Sequence, residues 1–311
     1  MRMKTRRMFL KQSTAIACGI LAAPSVLSVV TNRNNESFVP RGKTVNICDF
    51  GAKGDGKFVN TKIFNDAVVS CSEQGGGTVI IPAGVFLTGT IRLKSGVSLF
   101  LEKGAVIKGV TDLKEYYPYI PSNEKGNVGN DGKHNWNRAL LLGDGVSDVT
   151  ISGKGIIDGS HVVDPQGEES MRGPHTVLFG ESRNITLSGI SILQAANYAF
   201  MAYNIENTKF RNLVIKEGWD GIHIRGGKNI TIRDSEFYTG DDAIAGGYWE
   251  NMVITKCHIN SSCNGIRMIM PATDLTISDC TFRGPGEYPH RTSKERKRRN
   301  MLSAILLQPG G

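Results

Sequence analysis

Along most of the chain, apolar and polar residues alternate at every second position, and β-branched residues fill many of the apolar places. That period-two pattern predicts strands rather than helices. From about residue 140 a longer period is superimposed on it. "DVTISGKGIIDG" at 148 is followed by "NITLSGISILQ" at 184, "NTKFRNLVIKEG" at 207, "NITIRDSEFYTG" at 229, "NMVITKCHINSS" at 251 and "DLTISDCTFRGP" at 274. Each phrase has a polar opener, a short alternating apolar run, a turn residue and another short strand. Taking Ile185, Thr208, Ile230, Met252 and Leu275 as equivalent gives a spacing of about 22 to 23 residues. This is too short for helical-pair repeats, and the leucine–asparagine phrase of a leucine-rich repeat is missing. The expected fold is all-β, a right-handed parallel β-helix in which each coil buries its apolar side chains against the coils above and below.

The upstream stretch "VNICDFGAKGDGKFVNTKIFNDAVVSCSEQGGGTVIIPAGVFLTG" reads as a strand, a Gly/Asp turn, a helix over about Thr61 to Ser72, and the first coils. An amphipathic helix at this point would cap the open end of the stack. Tyr116 to Asn137, rich in Tyr, Pro, Asn and Gly, is expected to be a loop excursion, a candidate groove wall. The solenoid domain is placed at 44–311, and its close on "ILLQPGG", with no polar cap, leads to the expectation of a C-terminal truncation.

Residues 1–30 are expected to be an export peptide and 31–43 a linker. "TRRMFLK", from Thr5 to Lys11, resembles the twin-arginine signal, with Arg6 and Arg7 followed by Phe9, Leu10 and a modest apolar run. The partner implied is the twin-arginine export machinery, and the destination periplasmic or extracellular. No segment is long and apolar enough to demand stable membrane insertion.

Charge narrows the partners. The formal net charge is +8, but Arg2, Lys4, Arg6, Arg7 and Lys11 lie in the export peptide, and "HRTSKERKRR" concentrates most of the remaining basic excess. The rest is slightly acidic, which excludes a diffuse nucleic-acid-binding surface. The basic run reads either as a solvated face or as a site for an acidic polymer. Cys48, Cys71, Cys257, Cys263 and Cys280 lack metal-ligand spacing. Cys257 and Cys280 fall one repeat apart, and a Cys48–Cys71 bridge is left open.

Stacking the coils aligns "WDGIHI", "DDAIAG" and "CNGIRM". Asp220, Asp242 and Asn264 then share one column, preceded by Tyr198, with Asp241 beside Asp242 and a buried column of Ile222, Ile244 and Ile266 two residues later. Adjacent strands lie roughly 4.8 Å apart, so three carboxylates meet and one should keep its proton at neutral pH. A protonated acid beside ionised carboxylates suits glycosidic cleavage, in which one group protonates the leaving oxygen and another activates water. Aspartates in a β-helix also serve as turn-forming hydrogen-bonders, and calcium binding is the main rival to catalysis.

These residues, with "DFGAKGDG", "GGGTVIIPAGVFLTG", "GKGIIDG", "RGP" at 172 to 174 and "GDDAIA" at 240 to 245, resemble the polygalacturonase family, glycoside hydrolase family 28. The resemblance runs from roughly residue 44 to the end and implies a pectin-lyase-like β-helix and an inverting hydrolase of galacturonan or a related pectic, acidic polysaccharide, working without cofactor or metal. The family's Asn-Thr-Asp falls at Gly218-Trp219-Asp220 and its Gly-Asp-Asp at Gly240-Asp241-Asp242. Carried over, Asp242 is the general acid, and Asp220 with Asp241 position and deprotonate water. The family's Gly-His-Gly is replaced by Cys263-Asn264-Gly265, and His223, one coil earlier, is the candidate substitute, although a surface position is the commoner one for such a histidine. Its Arg-Ile-Lys has no clear match. Arg267, Arg225, His223 and Asn264 are therefore the candidate substrate-binding residues. Two other readings stay open. In one, a lyase of the same fold holds calcium on the three aspartates, with Arg267 or Lys256 as base. In the other, a non-catalytic carbohydrate-binding solenoid uses Tyr198, Trp219, Tyr248 and Trp249 as platforms.

Overall fold

The computed structural model describes residues 40, 42–121, 137–291 and 298–308. The expected export peptide and nearly all of the linker lie outside the described residues. So do 122–136 of the loop excursion, 292–297 of the basic run and 309–311 of the C-terminal phrase.

Every strand ladder among the described residues is parallel, and the strands collect into two sheets that wind coil upon coil. The long strands Phe200–Arg211, Ile222–Arg233 and Ile244–Thr255 pair in unbroken succession and continue into Asn264–Met268. The short strands Val214–Lys216, Glu236–Thr239, His258–Ser261 and Thr281–Arg283 form the second sheet beside them. This is the right-handed parallel β-helix that the repeat predicts. Phe200, Ile222, Ile244 and Ile266 are paired residue for residue and buried, one column of a core that runs from Ile47 to Ile266.

The polar opener of each repeat has a conformational cause. Asp148, Asn184, Asn207, Asn229, Asn251 and Asp274 all adopt left-handed backbone, with φ between 52° and 60°. That region is costly for most residues and tolerated by Asn and Asp. The side chains of Asp148, Asn184, Asn207, Asn229 and Asn251 form a ladder, with Asn184 Nδ2 donating to Asp148 Oδ1 at 2.9 Å and Asn251 Nδ2 to Asn229 Oδ1 at 2.9 Å.

The capping helix is Thr61–Glu73. Its buried face is Phe64, Ala67, Val68 and Cys71, the helical spacing of a one-sided apolar stripe, and Phe64 meets Phe86 edge-on at 6.3 Å. It ends in Gly75-Gly76-Gly77. At Gly77, φ is 146° and an added Cβ would lie 2.3 Å from the Lys43 carbonyl, so only glycine lets the chain leave the helix for the first paired strands. Cys48 is exposed and Cys71 buried, and the five described cysteines are all unbridged.

Candidate active site

Three consecutive coils turn at the same place, before Ile222, Ile244 and Ile266, and these turns carry Asp220, the Asp241–Asp242 pair and Asn264. Backbone bonds hold the turns tightly together. Asp241 N–H donates to the Trp219 carbonyl at 3.2 Å, Gly221 N–H to Asp242 at 2.9 Å, and Ala243 N–H to Asn264 at 3.0 Å. The hydroxyls of Thr239 and Ser261 both donate to the Asp241 carbonyl, at 2.9 and 3.0 Å. A Cβ on Gly240 would lie 2.5 Å from the Gly218 carbonyl, so a side chain there would force the coils apart.

Asp220 Oδ2 is bonded to His223 Nδ1 at 2.7 Å, and its Oδ1 accepts from the Asp242 backbone N–H at 3.2 Å. Asp242 Oδ1 accepts from both the backbone and the side-chain amide of Asn264, at 3.1 and 2.7 Å, and its Oδ2 lies 3.3 Å from Arg267 Nη1. Asp241 points elsewhere: its Oδ2 is 3.4 Å from His290 Nε2 and 3.7 Å from Arg172 Nη2. The Asp241 side chain is 14% exposed, against 5% for Asp220 and 2% for Asp242, so it is the most open of the three to the groove.

Burial and neighbours divide the three acids. Burial first, then the charges of Asp241 and Asp242, push Asp220 well above the carboxylate range. Burial and then Asp241 raise Asp242. Burial acts upward on Asp241 too, but the hydrogen bond and charge of His290 and the charge of Arg172 outweigh it and bring Asp241 down. Asp241 is therefore the most readily ionised of the three, and Asp220 and Asp242 are the two whose protonated forms are favoured.

Of the four candidate substrate-binding residues, His223, Asn264 and Arg267 touch these carboxylates, and Arg225 stands behind His223. His223 is buried, not on the surface; burial and then Arg225 hold it well below the usual histidine range, so it is neutral. Its ring stacks on Tyr198 at 4.7 Å with 2° between planes, and its Nε2 accepts from Arg225 Nε at 3.3 Å. With Nε2 accepting, Nδ1 carries the proton and donates to Asp220. His223 lies two coils before Arg267, not one, paired with it through Ala245 along one column, and Arg267 also reaches Gln308 at 3.0 Å.

Two residues of the site were not singled out from the sequence. Arg172 belongs to the "RGP" phrase; it lies 3.9 Å over the Trp219 ring and donates to Glu169 Oε2 at 3.0 Å. His290 opens the basic run and meets Trp219 edge-on at 5.7 Å, and Arg291 stands over the same ring at 5.8 Å. Part of the basic run thus belongs to the site and not to a solvated face. The only signals were the phrase and the run, because neither residue lies in the aligned column.

The alternative readings fare less well in this geometry. Trp219 and Trp249 are buried and donate to the Ala196 and Ile224 carbonyls, and Tyr198 is buried against His223, which leaves Tyr248 as the exposed member of the expected platform. Lys256 stands at the far end of the strand Ile244–Thr255 from Asp242. An oxygen of Asp241, an oxygen of Asp242 and Cys263 Sγ lie within 4.8 Å of one another. Calcium takes six to eight oxygen ligands. Here sulfur is the third group, and Arg172, His290, Arg267 and Asn264 already engage the carboxylate oxygens, so this donor set does not fit calcium.

A sequence profile described as "Rhamnogalacturonase A/epimerase, pectate lyase-like" matches residues 44–287. A probable polygalacturonase of Vitis vinifera is 30% identical over 226 residues, covering 66% of this chain and 44% of that protein. The exo-poly-alpha-D-galacturonosidase of Dickeya chrysanthemi is 27% identical over 256 residues, covering 65% and 41%. The chain spans about half the length of the curated relatives it matches. Among solved structures, the polygalacturonase of Erwinia carotovora ssp. carotovora superposes with a TM-score of 0.59 at 22% identity, covering 81% of this chain and 74% of that one. The surface adhesin PfbA of Streptococcus pneumoniae gives 0.61 at 20% identity, covering 77% and 63%. Likeness at this level of identity concerns the fold.

Proposed function

The chain belongs to the rhamnogalacturonase A/epimerase, pectate lyase-like family, and on that premise we propose that it hydrolyses glycosidic bonds of a pectic or related uronic-acid-containing polysaccharide. The observation that carries this reading is the stacking of Asp220, Asp241 and Asp242 on adjacent turns, with Asp241 set against His290 and Arg172 and lowered while the buried Asp220 and Asp242 are raised.

Asp242, the general acid, gives its proton to the glycosidic oxygen as the bond from that oxygen to the anomeric carbon breaks. Asp241, held ionised by His290 and Arg172, takes a proton from the water that attacks the same carbon. Asp220 holds His223 and the Asp242 backbone in place and helps to orient that water. Arg267, 36% exposed along its side chain, and Arg225 supply positive charge for a substrate carboxylate, and Asn264 and His223 keep the acids oriented. Asp241 and Asp242 approach within 4.8 Å, closer than the ~6.5–9.5 Å usual between the acid and base of inverting hydrolases. The water must then sit beside the pair, against Asp220, and not between its members. Anomeric inversion, which the family resemblance implies, is checked by NMR of the first-formed product, and a retained configuration would instead make one of the carboxylates a nucleophile.

The domain is taken as 44–311, and the protein is taken to act outside the cytoplasm after twin-arginine export. The deciding experiment incubates the protein with polygalacturonate and pectic oligosaccharides, recording new reducing ends and unsaturated-product absorbance with and without chelator. Reducing ends alone, unaffected by chelator and lost in Asp242→Asn, support the hydrolase. Unsaturated product that disappears with chelator means calcium-assisted elimination instead. Retained binding with no product from any substrate means a carbohydrate-binding module.

A further inference from the structure

Away from the carboxylates, the second turn of each coil builds another column: Leu213, Ser235, Cys257 and Cys280. Each follows a left-handed residue, Asn212, Asp234, Lys256 or Asp279, with φ between 50° and 53°. Register is fixed on both sides of the turn, Thr255 pairing with Ser278 before it and His258 with Thr281 after it. Cys257 and Cys280 therefore face each other on adjacent coils. Neighbouring backbones run about 4.8 Å apart, within the ~4.4–6.8 Å between α-carbons that a disulfide requires.

The repeated turn also aims the two side chains alike. Cys257 Sγ lies 3.3 Å from the Thr255 carbonyl and Cys280 Sγ 3.2 Å from that of Ser278, the same relation one coil apart, and Cys280 Sγ reaches back to within 3.7 Å of the Ile254 carbonyl on the coil that carries Cys257. One coil earlier Ser235 Oγ fills this place and donates to the Arg233 carbonyl at 2.8 Å, so the turn itself does not demand sulfur. Cys257 is buried and Cys280 half-buried, which makes one sulfur protected and the other reachable.

We propose that Cys257 and Cys280 form an oxidisable dithiol that closes to an intercoil disulfide by exchange with an external disulfide. The Cys280 thiolate attacks one sulfur of that disulfide and expels a thiol. Cys257 then loses its proton, attacks the Cys280 sulfur of the mixed disulfide and expels the second thiol. The two protein thiols are oxidised, and the external disulfide is reduced to two thiols. The adjacent Cys257 thiol brings the Cys280 thiol down to about 6, in keeping with its role as the attacking group. The neighbouring Cys280, with burial, holds the Cys257 thiol up and suits it to the second, resolving step. The cross-link would tie the strand Thr281–Arg283 to the coil before it. From that strand the chain runs into the segment that brings His290 to Asp241.

The full-length protein should be treated with oxidised glutathione, alkylated in denaturant and digested without reductant. Cys257 and Cys280 are expected in one disulfide-linked peptide pair, with a mass lower by two hydrogens than the dithiol form, and Cys71 and Cys263 are expected as alkylated thiols. Dithiothreitol should restore both thiols, and the oxidised protein should unfold at a higher temperature than the reduced one. Cys280→Ser should abolish the linked pair and leave Cys257 free of glutathione. Finding both residues alkylated after oxidation, or Cys280 persisting as a glutathione adduct beside an alkylated Cys257, overturns the proposal. The mapping on the unsubstituted protein depends neither on a variant folding nor on catalysis.

Discussion

His290 Nε2 stands 3.4 Å from Asp241 Oδ2, while the neighbouring Asp242 faces away from it to Asn264 and Arg267. Burial outweighs these partners at Asp242 and raises it, whereas His290 and Arg172 outweigh burial at Asp241 and lower it. The two carboxyls are thereby pushed apart in the direction that acid/base hydrolysis demands.

Loss of either group should slow hydrolysis, but the two should differ with leaving group. On polygalacturonate, Asp242→Asn and Asp241→Asn are each expected to lower kcat by about a hundredfold to ten-thousandfold. An aryl galacturonide with a good leaving group needs little protonation, so Asp242→Asn should recover most of its rate on it and Asp241→Asn should not. The reverse pattern would exchange their roles.

Replacing His290 should move the acid limb of the pH profile. Asp241 must be ionised to take a proton, and His290 helps to keep it below the usual carboxylate range. In His290→Gln the carboxylate rises, so the acid limb of kcat/KM should shift to higher pH, while Arg172 still prevents a complete loss. An unmoved limb would remove His290 from the site's electrostatics.

Asp242→Asn should stabilise the fold as it slows turnover of polygalacturonate. The folded state raises the Asp242 carboxyl, so its favourable contribution is complete below the unfolded carboxylate value and is lost as pH rises through the folded one. An amide stays neutral throughout and keeps Oδ1 for both Asn264 donors. A gain of about 1 kcal/mol at neutral pH, vanishing in acid, is expected from denaturant unfolding at the two pH values. A loss at neutral pH would mean that Asn264 and Arg267 favour the charged form more than burial opposes it.

Position 229 tests the ladder of left-handed turns. Asn229→Ala should cost about 1–2 kcal/mol through its φ of 56°, whereas Asn229→Gly, which loses the same ladder bonds, should cost less. Thermal unfolding of the two variants checks the order, and an alanine variant as stable as the glycine one would show that the turn carries no such strain.

The sequence by itself determined the coil. Its polar openers are the left-handed Asn and Asp residues, its isoleucines are the paired core column, and Asp220, Asp242 and Asn264 lie where the repeat aligns them. Parallel coils stack in register, so spacing along the chain translates directly into neighbours in space. Arg172 and His290 obey no such spacing, because each arrives from a segment between coils, and only the folded chain brings both to Trp219 and Asp241. Tertiary structure alone likewise decided that His223 is buried and neutral and that Asp241 is the charged acid. Protonation follows from desolvation and the nearest charges, and both are set by packing in three dimensions.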